Sequence, residues 1–74
     1  MEFNIEKASD WDYKRKVEIK TIEDLENLNN EYKKEIEDIN SKIDSNSPFD
    51  YKGYDGLIID FYNKTITVYD AYVE

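Results

Sequence analysis

Residues 21–44, TIEDLENLNNEYKKEIEDINSKID, are the longest stretch of the chain with one consistent periodicity. Apolar side chains recur there in steps of three and four residues, which places them on one face of an α-helix, in an arc of about 120°. They are Ile22, Leu25, Leu28, Tyr32, Ile36, Ile39 and Ile43. The opposite face holds Glu, Asp, Asn and Lys. The stretch therefore predicts one long amphipathic helix from Thr21 to about Asp44.

Both ends of this helix carry signals in the sequence. Thr21 can act as the N-cap, and Asp24 three residues later predicts a capping box. At the other end, Pro48 restricts the preceding residue to extended conformations, and the polar side chains of residues 44–47 compete for backbone hydrogen bonds. The helix should therefore stop near Asp44.

The first twenty residues predict two strands. Phe3 and Ile5 alternate with polar residues, and Val17 and Ile19 do the same after a break at residues 8–10. A period of two with one apolar face is typical of half-buried strands. Trp11 and Tyr13 share the parity of these apolar positions, so we expect them to cover one end of the core.

The C-terminal part predicts a β-hairpin. Residues 57–62 and 65–70 flank Asn63-Lys64, and Asn tolerates the left-handed conformation that a two-residue turn requires. In that register Phe61 pairs with Ile66 and Ile59 pairs with Val68, all on one face. We expect residues 71–74 to extend the last strand.

These elements together predict an α+β fold in a single domain, residues 1–74. We expect a small antiparallel β-sheet of three to four strands, with the order β-β-α-β-β along the chain. The long amphipathic helix should pack on one face of that sheet. A chain of 74 residues is near the lower limit for a core that is stable alone.

Composition argues against an enzyme. The chain has no Cys and no His, which removes disulfides, thiolate chemistry and the commonest neutral-pH acid/base and metal ligand. Residues 50–56 lack the alternating ligands and the closing Glu of a calcium loop. We therefore predict no catalytic residue, no metal and no cofactor. No stretch has the apolar length of a membrane span or the pattern of a secretion signal, so we expect a cytoplasmic protein.

Net charge is the outstanding global property. Ten basic and eighteen acidic residues give −8, of which −5 falls in residues 21–44 and −3 in residues 45–74. A field of this sign repels nucleic acid and anionic membranes and attracts basic protein surfaces. The one basic cluster, residues 14–16, is expected to act as an internal counter-charge or to guard a strand edge against aggregation.

One flank of the helix carries a regular row of acids. Asp24, Glu31 and Asp38 recur every seven residues, with Glu35 beside them, so they lie about 10 Å apart along the axis. Phosphates of a nucleic-acid strand have comparable separations, which suggests mimicry. The alternative is an ordinary solvated helix face. Two pairs along the helix are expected to offset part of this charge: Glu31–Lys34 and Asp38–Lys42.

Acids also alternate with aromatic residues along the chain. Seven Tyr and one Trp are more than so small a core can bury, and exposed aromatics commonly anchor protein interfaces. The alternative is that the tyrosines simply cover strand faces. Besides the helix flank, the residues predicted to bind a partner are Tyr51, Tyr54, Asp55, Asp60, Tyr62 and Tyr69.

The helix also satisfies a heptad pattern in which Asn29 occupies an a position. An Asn there can fix the register of a paired coiled coil. A helix packed on a sheet has nearly the same apolar spacing, and the hairpin supplies a matching face. We therefore favour a monomer and keep a helix-mediated homodimer as the alternative.

In composition and architecture the chain resembles the small phage-encoded inhibitors of bacterial defence, of the anti-CRISPR and anti-restriction type. The likeness lies in its small size, acidity, absence of Cys and His, acidic helix flank and Tyr/Asp surface. It implies a non-catalytic protein that binds a Lys/Arg-lined surface on a nucleic-acid-binding effector, such as a CRISPR or restriction nuclease, in the bacterial cytoplasm. Direct contact with nucleic acid or membrane is not expected. An antitoxin or immunity-type inhibitor of another protein, and a homodimeric coiled-coil module, are the alternatives.

Overall fold

The computed structural model describes residues 1–43 and 51–71. The elements are β1 Glu2–Lys7, β2 Asp10–Glu18, α1 Ile22–Ser41, β3 Gly56–Asp60 and β4 Thr65–Tyr69. The α+β class and the order β-β-α-β-β are confirmed. The last strand ends at Tyr69, so the predicted extension does not continue through residues 70–71. Predictions for residues 44–50, including the stop signals after the helix, and for residues 72–74 lie outside the described part of the chain.

The sheet is mixed, and the prediction of an antiparallel sheet is wrong. The strand order is β2-β1-β4-β3; β1 with β2 and β3 with β4 are antiparallel hairpins, whereas the central pair, β1 and β4, is parallel. The reason is the helix. It starts where β2 ends and returns along the sheet, so β3 runs in the direction of β2, and β4 then runs in the direction of β1. Strand periodicity carries no information about which hairpin strands become neighbours.

The core lies between the sheet and one face of α1. Its buried residues come from β1, β4, α1 and the segment after β2: Phe3, Ile5, Ile19, Leu28, Tyr32, Ile66 and Val68. Ile36 of α1 is also buried. The amphipathic character of the helix is therefore confirmed. Burial of this face within one molecule leaves the middle of the helix little apolar surface for a second helix.

The start of α1 confirms the capping box. The Asp24 N–H donates to Thr21 Oγ1 at 3.2 Å, and the Thr21 N–H donates to Asp24 Oδ2 at 3.1 Å. Ile22, by contrast, is exposed, although the periodicity assigns it to the core face. A helix of 20 residues is about 30 Å long, whereas strands of five or six residues span about 20 Å. The first turn of the helix therefore extends beyond the sheet.

The C-terminal hairpin is displaced by two residues from the predicted register. Ile59 pairs with Ile66 and Asp60 with Thr65, which leaves residues 61–64 as a four-residue loop. A shift of two preserves the face of every strand residue, so Ile59 and Ile66 still point to the core. Phe61, however, leaves the sheet and is exposed, with its ring edge-on to Phe3 at 5.9 Å between centroids.

The Asp60 side chain explains the longer loop. Its Oδ1 accepts hydrogen bonds from the N–H groups of Tyr62 and Asn63 at 3.0 and 3.1 Å, and its Oδ2 accepts one from Asn63 Nδ2 at 2.8 Å. Lys64 closes the loop in the left-handed region, with φ of 53°. An Asx-type loop thus replaces the two-residue turn that Asn63-Lys64 predicts.

Asn29 has a different role from setting the register of a coiled coil. Tyr54 Oη donates to Asn29 Oδ1 at 2.6 Å and lies 3.3 Å from the Asn29 carbonyl oxygen. This contact ties the segment before β3 to the helix. We therefore expect Asn29→Ala and Tyr54→Phe each to lower the free energy of unfolding by about 1 kcal/mol. The double variant should cost little more than either single one, because both remove the same hydrogen bond.

Urea denaturation measures these free energies, and light scattering of Asn29→Ile tests the homodimer alternative. The variant should stay monomeric at the same concentration as the parent. A change in oligomeric state caused by that substitution would support helix pairing instead.

The Asp60 loop should also weaken in acid. Hydrogen bonds from the Asn63 backbone and side chain lower the pKa of Asp60 below its ordinary value. A lowered folded-state pKa adds stability above the unfolded pKa, about 3.9, and that stability is lost as the pH falls through the folded value. Urea midpoints measured from pH 5 downward should therefore fall less steeply for Asp60→Ala than for the parent. Asp12→Ala, at an exposed carboxylate, serves as the matched control and should keep the parental slope.

Candidate protein-binding surface

The predicted acidic flank of α1 begins with a carboxylate that stabilises the helix start. Asp24 Oδ2 accepts backbone hydrogen bonds from Lys20 at 2.8 Å and Thr21 at 3.1 Å. These bonds lower the pKa of Asp24. At the other end of the flank, Asp38 is exposed, and its predicted pair with Lys42 is not formed. Among the described residues, the Asp38 carboxylate has no ion partner.

The two middle acids of the flank are paired with cations of the sheet. Glu31 Oε2 lies 2.6 Å from Arg15 Nη1, and Glu35 Oε2 lies 2.9 Å from Lys7 Nζ. Arg15 therefore takes the place of the predicted partner Lys34. Within the basic cluster of residues 14–16, Arg15 supplies the predicted internal counter-charge, whereas Lys14 and Lys16 form no ion pair with other described residues; β2, which carries all three, is an edge strand of the sheet.

Two tyrosines complete this cationic contact. Lys7 Nζ lies 4.4 Å from the centroid of the Tyr13 ring and 5.6 Å from that of Tyr32. Arg15 Nη1 donates to Tyr32 Oη at 3.2 Å, and the two tyrosine hydroxyls lie 2.9 Å apart. Hydrogen bonds to Glu31 and Tyr32 raise the pKa of Arg15 further above its ordinary value. The flank is thus an attachment between helix and sheet, and much of its negative charge is used inside the molecule.

The predicted aromatic anchors differ in exposure. Tyr54 is half-buried, with its hydroxyl bound to Asn29, and burial raises its pKa. Tyr51 and Tyr69 are exposed, and Tyr62 in the β3–β4 loop is 93% exposed. Of these four, Tyr54 therefore has a structural role, and the others are available to a partner.

The topology collects several of the exposed residues at one end of the sheet. β1 and β4 end there, and β2 and β3 begin there. Hydrogen bonds cross this end from Ser9 N to Asp70 Oδ1, from Asp55 N to Tyr69 O and from Gly53 N to Ala71 O. We call this end the acidic pole and define it by the residues Asp10, Trp11, Asp12, Tyr51, Asp55 and Tyr69. All six are exposed.

Trp11 is the outstanding residue of the acidic pole, and sequence reasoning missed it. Its side chain is 92% exposed, so the prediction that it covers the core is wrong. The register between β1 and β2 shifts between Ile5 and Lys7, which displaces the start of β2. Trp11 then lies beside Glu6 and Thr67 rather than Tyr13. The flanking acids in Asp10-Trp11-Asp12 were the available signal for a binding role.

The end of α1 near this pole carries acids followed by a cation, Lys42, at the C-cap. The helix C-terminus points to the same end of the sheet, since Asn40 exchanges two hydrogen bonds with the backbone of Lys52. The last turn of the helix holds no basic residue. Lys42, the next residue, is the first cation at this terminus and partly offsets its partial negative charge. Asp38 lies in this last turn and Glu37 just before it, and both are exposed.

The buried carboxylate of Asp70 connects two segments at the acidic pole. Asp70 is completely buried, with Oδ1 accepting from the Ser9 N–H at 3.3 Å and Oδ2 lying 3.9 Å from Lys52 Nζ. Although Asp70 follows Tyr69 in an acid–aromatic run, it is therefore no part of the exposed surface. It links the β1–β2 turn to the segment before β3.

The opposite end of the molecule has an exposed apolar cleft. Met1, Ile22 and Phe61 are all exposed there and line one cleft, together with the half-buried Leu25. Tyr62 follows Phe61 in the adjoining loop. Lys20 is also part of this cleft, so the charge at this end is mixed.

Comparison of the chain with protein-family models, curated proteins and solved structures gives no match. No helix among the described residues has the length and hydrophobicity needed to cross a membrane. Nor do residues 1–43 and 51–71 bring together three side chains that could hold a metal ion.

The paired acids of the flank, Glu31 and Glu35, should stabilise the folded state, whereas the unpaired Asp38 should not. We expect Glu35→Gln and Glu31→Gln each to lower the free energy of unfolding by up to about 1 kcal/mol. The larger loss should occur at Glu35, since its partner Lys7 is mostly buried. Asp38→Asn is the matched control and should be neutral within about 0.5 kcal/mol. Urea denaturation at low and high salt measures the free energy of unfolding of all three variants. Equal effects at the three positions would contradict the distinction between paired and unpaired acids on the flank.

Proposed function

We propose that the protein is a non-catalytic inhibitor that binds and blocks the basic, nucleic-acid-binding surface of another protein. The observation that carries the proposal is the acidic pole, where a nearly fully exposed tryptophan stands between two exposed aspartates. Trp is one of the side chains enriched among the residues that anchor protein interfaces. Its acidic neighbours select for a partner of opposite charge.

The distribution of free charge supports a basic partner. Eight exposed acids form no hydrogen bond or ion pair through their carboxylates with other described residues: Glu2, Glu6, Asp12, Glu23, Glu26, Glu37, Asp38 and Asp55. Unpaired acids raise the rate of association with a cationic surface, and their mutual repulsion destabilises the folded state. Solubility alone requires less than a net charge of −8 on 74 residues.

Mimicry of nucleic acid by the helix flank would require a continuous row of free acids. Glu31 and Glu35 hold cations of the sheet, and Lys33 and Lys34 separate the acids at the helix start from Glu37 and Asp38. A continuous row of free charge along the flank is therefore interrupted. We therefore assign the main contact to the acidic pole and keep the exposed Asp38, near the end of α1, as a further contact.

Among alternatives, an antitoxin or immunity-type inhibitor would use the same pole against a different basic target. The coiled-coil module has less support, because Tyr32 and Ile36 are buried in the monomer and Asn29 binds Tyr54. An anti-CRISPR or anti-restriction inhibitor in a bacterial cytoplasm remains our proposal for the biological class. A CRISPR or restriction nuclease is then the expected target.

The proposal can be tested in two steps. Affinity purification from a bacterial lysate with the protein as bait, followed by mass spectrometry, identifies candidate partners. Each purified partner is then assayed for DNA or RNA binding by gel shift, with the inhibitor added at a 1:1 ratio. We expect nucleic-acid binding to be lost at that ratio. We also expect the inhibitor–partner affinity to fall as salt rises from 50 to about 200 mM, because steering by opposite charge is screened.

Variants with matched charge locate the surface. Asp10→Asn, Asp12→Asn and Asp55→Asn, combined, should slow association, and Trp11→Ala should speed dissociation, with a loss of about 2 kcal/mol if it is an anchor. The control combines Glu2→Gln, Glu23→Gln and Glu26→Gln, which removes the same charge elsewhere and should have the smaller effect. A partner that still binds nucleic acid in the complex, or two triple variants with equal effects, would contradict the proposal.

A further inference from the structure

We infer that the depression beside Trp11 receives the guanidinium group of an arginine side chain. The inference rests on the proposed function and gives its acidic pole a defined ligand chemistry. The depression has a volume of about 370 Å³ and is lined by Glu6, Lys7, Ala8, Asp10, Trp11 and Thr67. It therefore combines an accessible indole ring with two carboxylate side chains.

Trp11 offers a face for a cation. An indole ring attracts a cation more strongly than any other aromatic side chain, and Arg is found above such rings more often than Lys. The Trp11 side chain makes little contact with the rest of the molecule, since it is 92% exposed. Stacking of a guanidinium would cover apolar area that folding leaves in water.

The carboxylates beside Trp11 are placed to accept the guanidinium N–H groups. Glu6 and Asp10 are both exposed, and Asp10 is oriented by the N–H of Asp12, which donates to its Oδ1 at 3.0 Å. Asp10 Oδ2 and both oxygens of Glu6 make no hydrogen bond with other described residues. A planar guanidinium can contact a ring with its face and carboxylates with its edge, which an ammonium cannot do.

The one cation in the lining is neutralised on the other side of the sheet. Lys7 Nζ lies 2.9 Å from Glu35 Oε2 and 4.4 Å from the centroid of the Tyr13 ring, with 11% of its side chain exposed. Its charge is therefore held on the helix side, where it is compensated. Repulsion of an incoming arginine by Lys7 is correspondingly small.

Trp11 is the sole tryptophan of the chain, so its fluorescence reports on this depression alone. We would titrate the intact protein with an end-capped tetra-arginine peptide and compare an end-capped tetra-lysine peptide at about 100 mM salt. Tetra-arginine should change the emission of Trp11 and bind at least about threefold more tightly than tetra-lysine. Equal affinity for the two peptides would overturn the inference, because simple charge attraction would then suffice.

Variants define the site by calorimetry, with circular dichroism confirming that each is folded. Trp11→Ala should weaken tetra-arginine binding about threefold or more, whereas Tyr62→Ala, at the other highly exposed aromatic, should leave it unchanged. Glu6→Gln combined with Asp10→Asn should weaken it more than Glu23→Gln combined with Glu26→Gln, which removes the same charge from the helix start. Equal losses in either comparison would contradict the inference.

Failure of this inference is separable from failure of the proposed function. If the protein blocks a nucleic-acid-binding partner and Trp11→Ala blocks it equally well, the arginine site is wrong and the function stands. If tetra-arginine binds at Trp11 but no partner loses nucleic-acid binding, the site stands and the function is wrong.

Discussion

The attachment of α1 to the sheet through Tyr32 is the contact on which the rest of the fold depends. The ring is buried in the core, and its hydroxyl meets Tyr13 and Arg15 at the boundary of the sheet. Lys7 and Arg15 lie close to its ring, and each is balanced by a glutamate of the helix. In a domain of 74 residues the apolar area available is small, so cations that cover aromatic rings extend the core by their aliphatic stems. A net-acidic chain thus uses two of its ten bases, Lys7 and Arg15, to hold the helix on the sheet.

This use of charge separates the acids into two groups with different consequences. Those on the helix flank, Glu31 and Glu35, are offset by cations of β1 and β2 and act mainly within the molecule. Those at the acidic pole, Asp10, Asp12 and Asp55, are exposed and form no ion pair with other described residues. Exposed carboxylates and exposed aromatic side chains therefore occur together at the acidic pole, whereas Glu2, Glu23 and Glu26 lie elsewhere on the surface. Mimicry of a regular nucleic-acid strand requires even spacing of charge, whereas capture of basic side chains requires a local concentration of charge beside apolar area.

Much of the fold could be predicted from the sequence because local patterns carry it. The helix, its capping box and the order of elements follow from periodicity and from Thr21 and Asp24, and all three are confirmed. The parallel pairing of β1 and β4 could not be predicted, since it depends on how two hairpins meet across the helix. The hairpin register was missed because Asp60 stabilises a longer loop than Asn63-Lys64 suggests.

The acidic flank was identified as a surface, but its pairing with Arg15 and Lys7 depends on tertiary contacts that no spacing along the helix reveals. Trp11 was assigned to the core by parity, and a register shift reverses that assignment.

The misassigned residues carry information of their own. Trp11, Ile22 and Phe61 each satisfy a pattern that predicts burial, yet all three are exposed, at opposite ends of the sheet. Burying a large apolar side chain is worth about 2–3 kcal/mol, which is a sizeable fraction of the stability of a small domain. Their exposure has different origins, however. Ile22 and Phe61 are exposed because the helix and the hairpin loop reach past the sheet, and Phe61 still contacts Phe3 of the core. Trp11 makes almost no such contact and stands between two carboxylates, Asp10 and Asp12, that form no ion pair with other described residues. Trp11 is thus exposed although no overhanging helix or loop forces it to be, and unpaired acids flank it. These two features favour the acidic pole over the apolar end as a binding surface for a basic partner.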